Sequence, residues 1–188
     1  MNETLEPVRV LGLGNVLMGD DALGPWVIES LQAGWEFPEG VSVLDVGTPG
    51  LDLTPFLADA ETVILVDTVK ADGPPGTICV YPREKLVSRP PQPRVSPHDP
   101  GLTEALLALD LAGAAPRDVI LVGVVPKAVA QGVRLSPEVR AAVEKAAARV
   151  VELLSLMGLA ARRRAEAPPA APWWERGADV RVELGAGA

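Results

Sequence analysis

Val8-Arg-Val-Leu-Gly-Leu-Gly-Asn-Val-Leu-Met-Gly-Asp-Asp-Ala-Leu-Gly24 begins with the pattern of a strand and ends with that of a helix. Val8 to Leu13 is a short apolar run of the kind buried in a sheet, whereas Leu23, Trp26, Val27 and Leu31 recur at helical spacing, with Gly34 as the stop. Between them, Gly12 and Gly14 permit a tight turn and close backbone approach, and Asn15 is suited to bracing that turn. Asp20 and Asp21 stand at the helix entrance, where a carboxylate caps free backbone N–H groups and complements the helix dipole. One acid satisfies that need. The second marks the carboxyl end of the strand as a candidate site.

Outward from this unit, strands and helices alternate. Val41 to Val46 and Thr62 to Val66 read as strands, the first running into Asp45-Val-Gly-Thr-Pro-Gly50 and the second delivering Asp67 at its end. Leu51 to Leu57 reads as a short helix, Lys70 to Gly76 as a Gly/Pro loop, and Thr77 to Tyr81 as a short strand. Pro90 to Pro97 is proline-rich loop, followed by Ser96-Pro-His-Asp-Pro-Gly-Leu102 and a helix to about Ala112 that Asp99 or Ser96 would cap. Val119 to Val125 is a continuous apolar strand closed by Pro126, and Ser136-Pro137 opens a long helix to about Met157. This alternation predicts an α/β class with a mainly parallel sheet covered on both faces.

The totals agree with one globular domain: 188 residues, 48% hydrophobic, with mean hydropathy +0.21. A formal charge of −8 argues against nonspecific binding to nucleic acid or to an anionic membrane, both of which need a basic face. Cys79 is the single cysteine, which excludes an internal disulfide, and its apolar neighbours make it a small core residue. Met1 to Pro7 lacks the basic and apolar regions of a signal peptide, and no apolar run approaches the length of a bilayer span. The expectation is a cytoplasmic protein. From Ala160 the composition shifts to Arg162-Arg-Arg164, a Pro/Ala stretch and Trp173-Trp174, which divides the chain into a domain over 1–158 and an extension over 159–188. The two tryptophans are equally suited to docking on their own domain or on a partner.

Gly12-Leu-Gly14 invites a dinucleotide reading, but the third glycine of G-x-G-x-x-G falls at Leu17, and two acids occupy the place of a pyrophosphate. Asp67 lies where open α/β sheets bind ligands. Asp45 has a similar place, but the turn after it offers backbone amides for its carboxylate, so its role is structural or supporting. His98, the single histidine, sits between prolines that restrict its loop. Two carboxylates and an imidazole with an open position would suit a borderline divalent ion such as zinc or nickel. No H-E-x-x-H helix and no G-x-S-x-G elbow is present, which removes zincin and serine-triad chemistry.

With these residues in place, the chain resembles the hydrogenase maturation proteases, endopeptidases that trim the C-terminus of the large subunit of nickel-iron hydrogenases. The likeness runs from about Val8 to Met157. It rests on Gly12 to Gly24, Asp45-Val-Gly-Thr-Pro-Gly50, Val66-Asp67, Pro75-Gly-Thr77, Ser96-Pro-His98 with Gly101-Leu102, Val122-Gly-Val-Val-Pro126 and Leu135-Ser-Pro137. The resemblance implies a three-layer α/β/α fold with a mixed five-stranded sheet of order 2-1-3-5-4, strand 4 (Thr77 to Tyr81) being antiparallel. It implies that Asp21, Asp67 and His98 are the catalytic and metal-contacting residues of an aspartyl-type endopeptidase activity. It also implies that the metal is nickel carried by the precursor, with zinc or cadmium as possible surrogates.

The expected partner is therefore a large-subunit precursor, met by a monomer. Two features depart from the family pattern: Lys127 follows Pro126 where many relatives carry Glu, and the tail after about Gly158 lies outside the shared motifs. The rival readings are a non-proteolytic metal-binding assembly module that holds the precursor, and a nucleotide-binding enzyme.

Overall fold

A computed structural model describes residues 8–49, 53–88, 101–170 and 172–175. Five strands form the central sheet: β1 (Val8–Leu13), β2 (Val41–Gly47), β3 (Thr62–Thr68), β4 (Ile78–Pro82) and β5 (Asp118–Val124). Their order is β2-β1-β3-β5-β4, with β4 antiparallel to β5 and every other pairing parallel. This is the mixed sheet that the family resemblance implies. Every residue of the central strand β3 is buried, which explains the apolar run Val63 to Val66 at its centre.

The strands divide their side chains between two helical layers, as the two-residue pleat requires. Val10, Ile64, Val66, Val122 and Val124 face α1 (Leu23–Gly34) and α6 (Val143–Leu156). Leu11, Leu13, Val63, Leu65 and Leu121 face α2 (Thr54–Leu57), α3 (Arg83–Ser88) and α4 (Gly101–Ala112). Cys79, half-buried, packs against the second cluster. Arg9 adds a polar latch: its Nη1 donates to the carbonyls of Phe56 and Ala58 at 2.9 and 2.8 Å, satisfying acceptors left over at the end of the four-residue α2.

The opening unit has unusually close contact between helix and strand. A Cβ on Gly24 would lie 2.1 Å from the Leu13 carbonyl oxygen and 2.6 Å from that of Val66, so α1 rests its backbone on the ends of β1 and β3. Gly12 faces the same contact, where a Cβ would come within 2.7 Å of the Gly24 carbonyl oxygen. Of the glycines that suggested a phosphate cradle, Gly12 is thus occupied by this helix–strand contact, and at Gly14 a Cβ would meet the Asp21 carbonyl oxygen at 1.9 Å.

Two elements differ from expectation, and a third feature answers a choice that the sequence left open. The long helix predicted from Ser136 is two pieces, α5 (Pro137–Arg140) and α6, separated by a turn at Ala141 and Ala142. The helix α3 was not anticipated, because only Leu86 of its six residues is buried and no apolar period announces it. The described part of the extension also folds back onto the domain. Arg162–Arg163 pairs antiparallel with Trp35–Glu36, and Arg162 forms an ion pair with Glu36. Trp174 is buried edge-on against Trp26, with ring centroids 6.0 Å apart, while the Arg140 guanidinium covers the Trp26 ring at 3.4 Å. Trp173 is 67% exposed.

Candidate active site

The turn between β1 and α1 is built by short-range bonds. Asn15 Oδ1 accepts from the Leu17 N–H at 3.0 Å, the brace its sequence position suggested. The Gly14 N–H donates to the Gly47 carbonyl at 2.8 Å, tying the turn to the end of β2. A single helical turn of the 3-10 type, Asp20–Ala22, then leads into α1. Asp45 behaves as a local turn residue, with Oδ1 accepting from the Gly47 N–H at 3.0 Å. Partial burial pushes the Asp45 carboxyl above its ordinary value, and that amide bond works in the opposite direction.

Asp21 is 5% exposed, and both of its carboxylate oxygens are engaged. Oδ2 accepts from the Asn15 N–H at 2.9 Å, and Oδ1 accepts from the Thr68 hydroxyl at 3.3 Å. Asp67, at 8% exposure, accepts the Thr68 N–H on Oδ1 at 2.5 Å. Thr68 therefore links the two predicted acids: its amide orients one carboxylate and its hydroxyl holds the other at the carboxyl end of β3. Sequence reasoning passed over Thr68, although it directly follows Asp67. His98, together with the cap candidates Ser96 and Asp99, lies outside the described residues. Among the described residues, no group of three His, Cys, Asp or Glu side chains could hold a metal ion.

Asp20 does not take the capping task that its place at the helix entrance offered. Neither the 3-10 turn, with Gly19 at its N-cap position, nor α1, with Ala22 there, has a side-chain cap, and the Asp20 carboxylate reaches instead to the loop after β5. Its Oδ2 accepts from the N–H groups of Lys127 and Ala128 at 2.9 and 3.0 Å and from the Ser136 hydroxyl at 3.0 Å. Its Oδ1 accepts the Ser136 N–H at 2.6 Å. The Lys127 ammonium meets Glu138 at 2.7 Å; that hydrogen bond raises the lysine and lowers the glutamate from their ordinary values. Both groups are on the surface, where such a pair contributes little to stability.

Residues 25–153 match the family model described as hydrogenase maturation protease. The chain belongs to the hydrogenase maturation protease family. It is 34% identical over 155 residues to the hydrogenase 2 maturation protease of Escherichia coli (strain K12), an alignment covering 82% of this chain and 94% of the relative. The solved structure of the hydrogenase maturating endopeptidase HybD from E. coli superposes with a TM-score of 0.78 at 34% identity, over 84% of this chain and 98% of that one. A hydrogenase 2 maturation peptidase from a Thaumarchaeota archaeon gives a TM-score of 0.61 at 34% identity, over 80% and 99% of the two chains. This maturation protease is accordingly a hydrolase of the endopeptidase class. No described helix is long and apolar enough to cross a membrane.

Proposed function

We propose that this endopeptidase removes a C-terminal peptide from the nickel-loaded large-subunit precursor of a nickel-iron hydrogenase. The observation that carries the reading is the pair of buried carboxylates, Asp21 and Asp67, oriented by Thr68 at the carboxyl end of β3. Family membership supplies the reaction class, and the donor chemistry supplies the recognition. Two carboxylates with the imidazole of His98 form a mixed oxygen and nitrogen set suited to a borderline cation such as nickel.

In this reading nickel arrives with the substrate. Asp21, Asp67 and His98 contact it and so bring one backbone amide to the sheet edge. Fixing the bond in place lowers the entropic barrier to hydrolysis. Water adds its oxygen to the carbonyl carbon, the C–N bond breaks, and the new amine leaves with a proton. Zinc or cadmium would occupy the same donor set as a surrogate. The protease acts as a cytoplasmic monomer.

The test is to incubate purified protein with nickel-loaded and nickel-free precursor and to weigh the large subunit by mass spectrometry. Loss of a C-terminal peptide only from the loaded form is the expected result. A stoichiometric complex that persists without cleavage would replace this reading with that of an assembly module.

A further inference from the structure

Asp20 is the acid of the opening pair that the proposed chemistry leaves without a task, yet it is the more deeply buried of the two, at 1% exposure. Its four donors all come from one loop, more than a hundred positions away in the chain. We infer that Asp20 is a positioning residue, whose carboxylate locks residues 127–136 onto the turn at 15–20 as a single lip beside Asp21, and that this lip seats the precursor segment for cleavage. The inference takes its substrate from the reading above. The lock itself stands on geometry alone.

The middle of the loop is exposed. Lys127, Ala128, Ala130, Gln131 and Gly132 are exposed, so apolar packing there is slight. Two further backbone bonds join the same two segments: the Gly132 N–H donates to the Leu17 carbonyl at 2.9 Å, and the Gly19 N–H donates to the Gly132 carbonyl at 2.7 Å. Gly19 has φ 61°, and a Cβ there would stand 3.1 Å from the Ala130 carbonyl oxygen, so the turn is shaped to let the loop close over it.

A carboxylate suits the position because both of its oxygens accept, and three of the donors are backbone N–H groups that would otherwise lose their partner. An asparagine would offer one oxygen and turn its NH2 toward donors. The resulting lip exposes Leu17, at 58%, next to the turn that holds Asp21. This gives Val122-Gly-Val-Val-Pro126 and Leu135-Ser-Pro137 a shared purpose: they deliver the two ends of the loop to one carboxylate.

The experiment compares Asp20→Asn and Ser136→Ala with the unmodified full chain by amide hydrogen exchange and by cleavage kinetics on nickel-loaded precursor. In Asp20→Asn, exchange over 127–136 should rise by about tenfold or more while β3 and β5 stay protected. KM should rise about tenfold, with kcat kept within about threefold. Ser136→Ala, which removes one of the four bonds to Asp20 together with the hydroxyl's cap of the Val139 N–H, should move both readouts in the same direction by less, and it stands in if Asp20→Asn does not fold. Unchanged exchange would overturn the lock. Collapse of kcat at constant KM would overturn the positioning role and make Asp20 a reacting acid. If the unmodified chain cleaves no precursor, the proposed function fails. Exchange then still decides the lock, and calorimetric binding of the loaded precursor decides the seating in place of KM.

Discussion

The two helical layers that cover the sheet are built on different principles. On one side, α1 and α6 run for 12 and 14 residues, and α1 is pressed onto the strand ends through Gly12 and Gly24. On the other, α2 and α3 have only four and six residues, and α4 leaves Leu107 and Leu111 exposed. That second layer is latched at its surface by the Arg83–Asp110 ion pair at 2.5 Å. The acids of the site arise from the turn into α1 and from the buried β3, whereas His98 belongs to the sequence just before α4. The difference teaches that the two described acids rest on the part of the molecule where helix and strand backbones meet most closely.

Substitutions can break this comparison, and the largest effect is expected on the rigid side. Gly24→Ala would force a Cβ into the backbone of β1 and β3, and stability measured by urea denaturation should fall by more than about 3 kcal/mol, beyond the usual range for overpacking, because backbone cannot move aside. Trp26→Ala should cost about 3–5 kcal/mol by removing a large, fully buried ring. Trp174→Ala, which removes one edge of that cluster, should cost less, about 2–3 kcal/mol by the apolar area it exposes. On the other layer, Leu111→Ala should change stability by no more than about 0.5 kcal/mol, since the side chain is 92% exposed. An equal cost for Trp26→Ala and Leu111→Ala would dissolve the distinction between the layers.

The smallest effect sharpens the role of the turns. The Asp45 carboxyl sits above its ordinary value in the fold, so its contribution to stability is full at low pH and declines as pH rises through the folded value. Asp45→Asn keeps an acceptor for the Gly47 N–H and removes the charge. It should leave stability slightly higher at neutral pH and flatten this part of the profile, measured as the denaturation midpoint between pH 4 and 7.

What the sequence revealed depended on how far apart the partners lie. The β1–α1 unit, the Asn15 brace and the Asp45 turn all join residues within a few positions of one another, and propensity and spacing expose such contacts. Asp21 and Asp67 were legible as strand-end acids, and the family motifs paired them. The task of Asp20 was not, because its partners at Lys127, Ala128 and Ser136 are brought near only by the whole sheet. Capping is the local use of an acid at that place, and the tertiary partners displaced it. The break between α5 and α6 falls on Ala141 and Ala142, good helix formers that give no stop signal. The docking of Trp174 is invisible for a similar reason, since nothing in the Pro/Ala stretch before it indicates that Trp26 waits across the fold.

The return of the extension to α1 has a practical consequence for anyone handling the molecule. Trp174, Ala170 and Leu159 pack against the same cluster as Trp26, well past the end of the family match at residue 153. A version trimmed to the length of the shorter relatives would keep every residue of the candidate site and still carry an unroofed tryptophan on its flank. Such a preparation invites clumping during purification, and poor yield would then report on a missing roof rather than on a faulty enzyme.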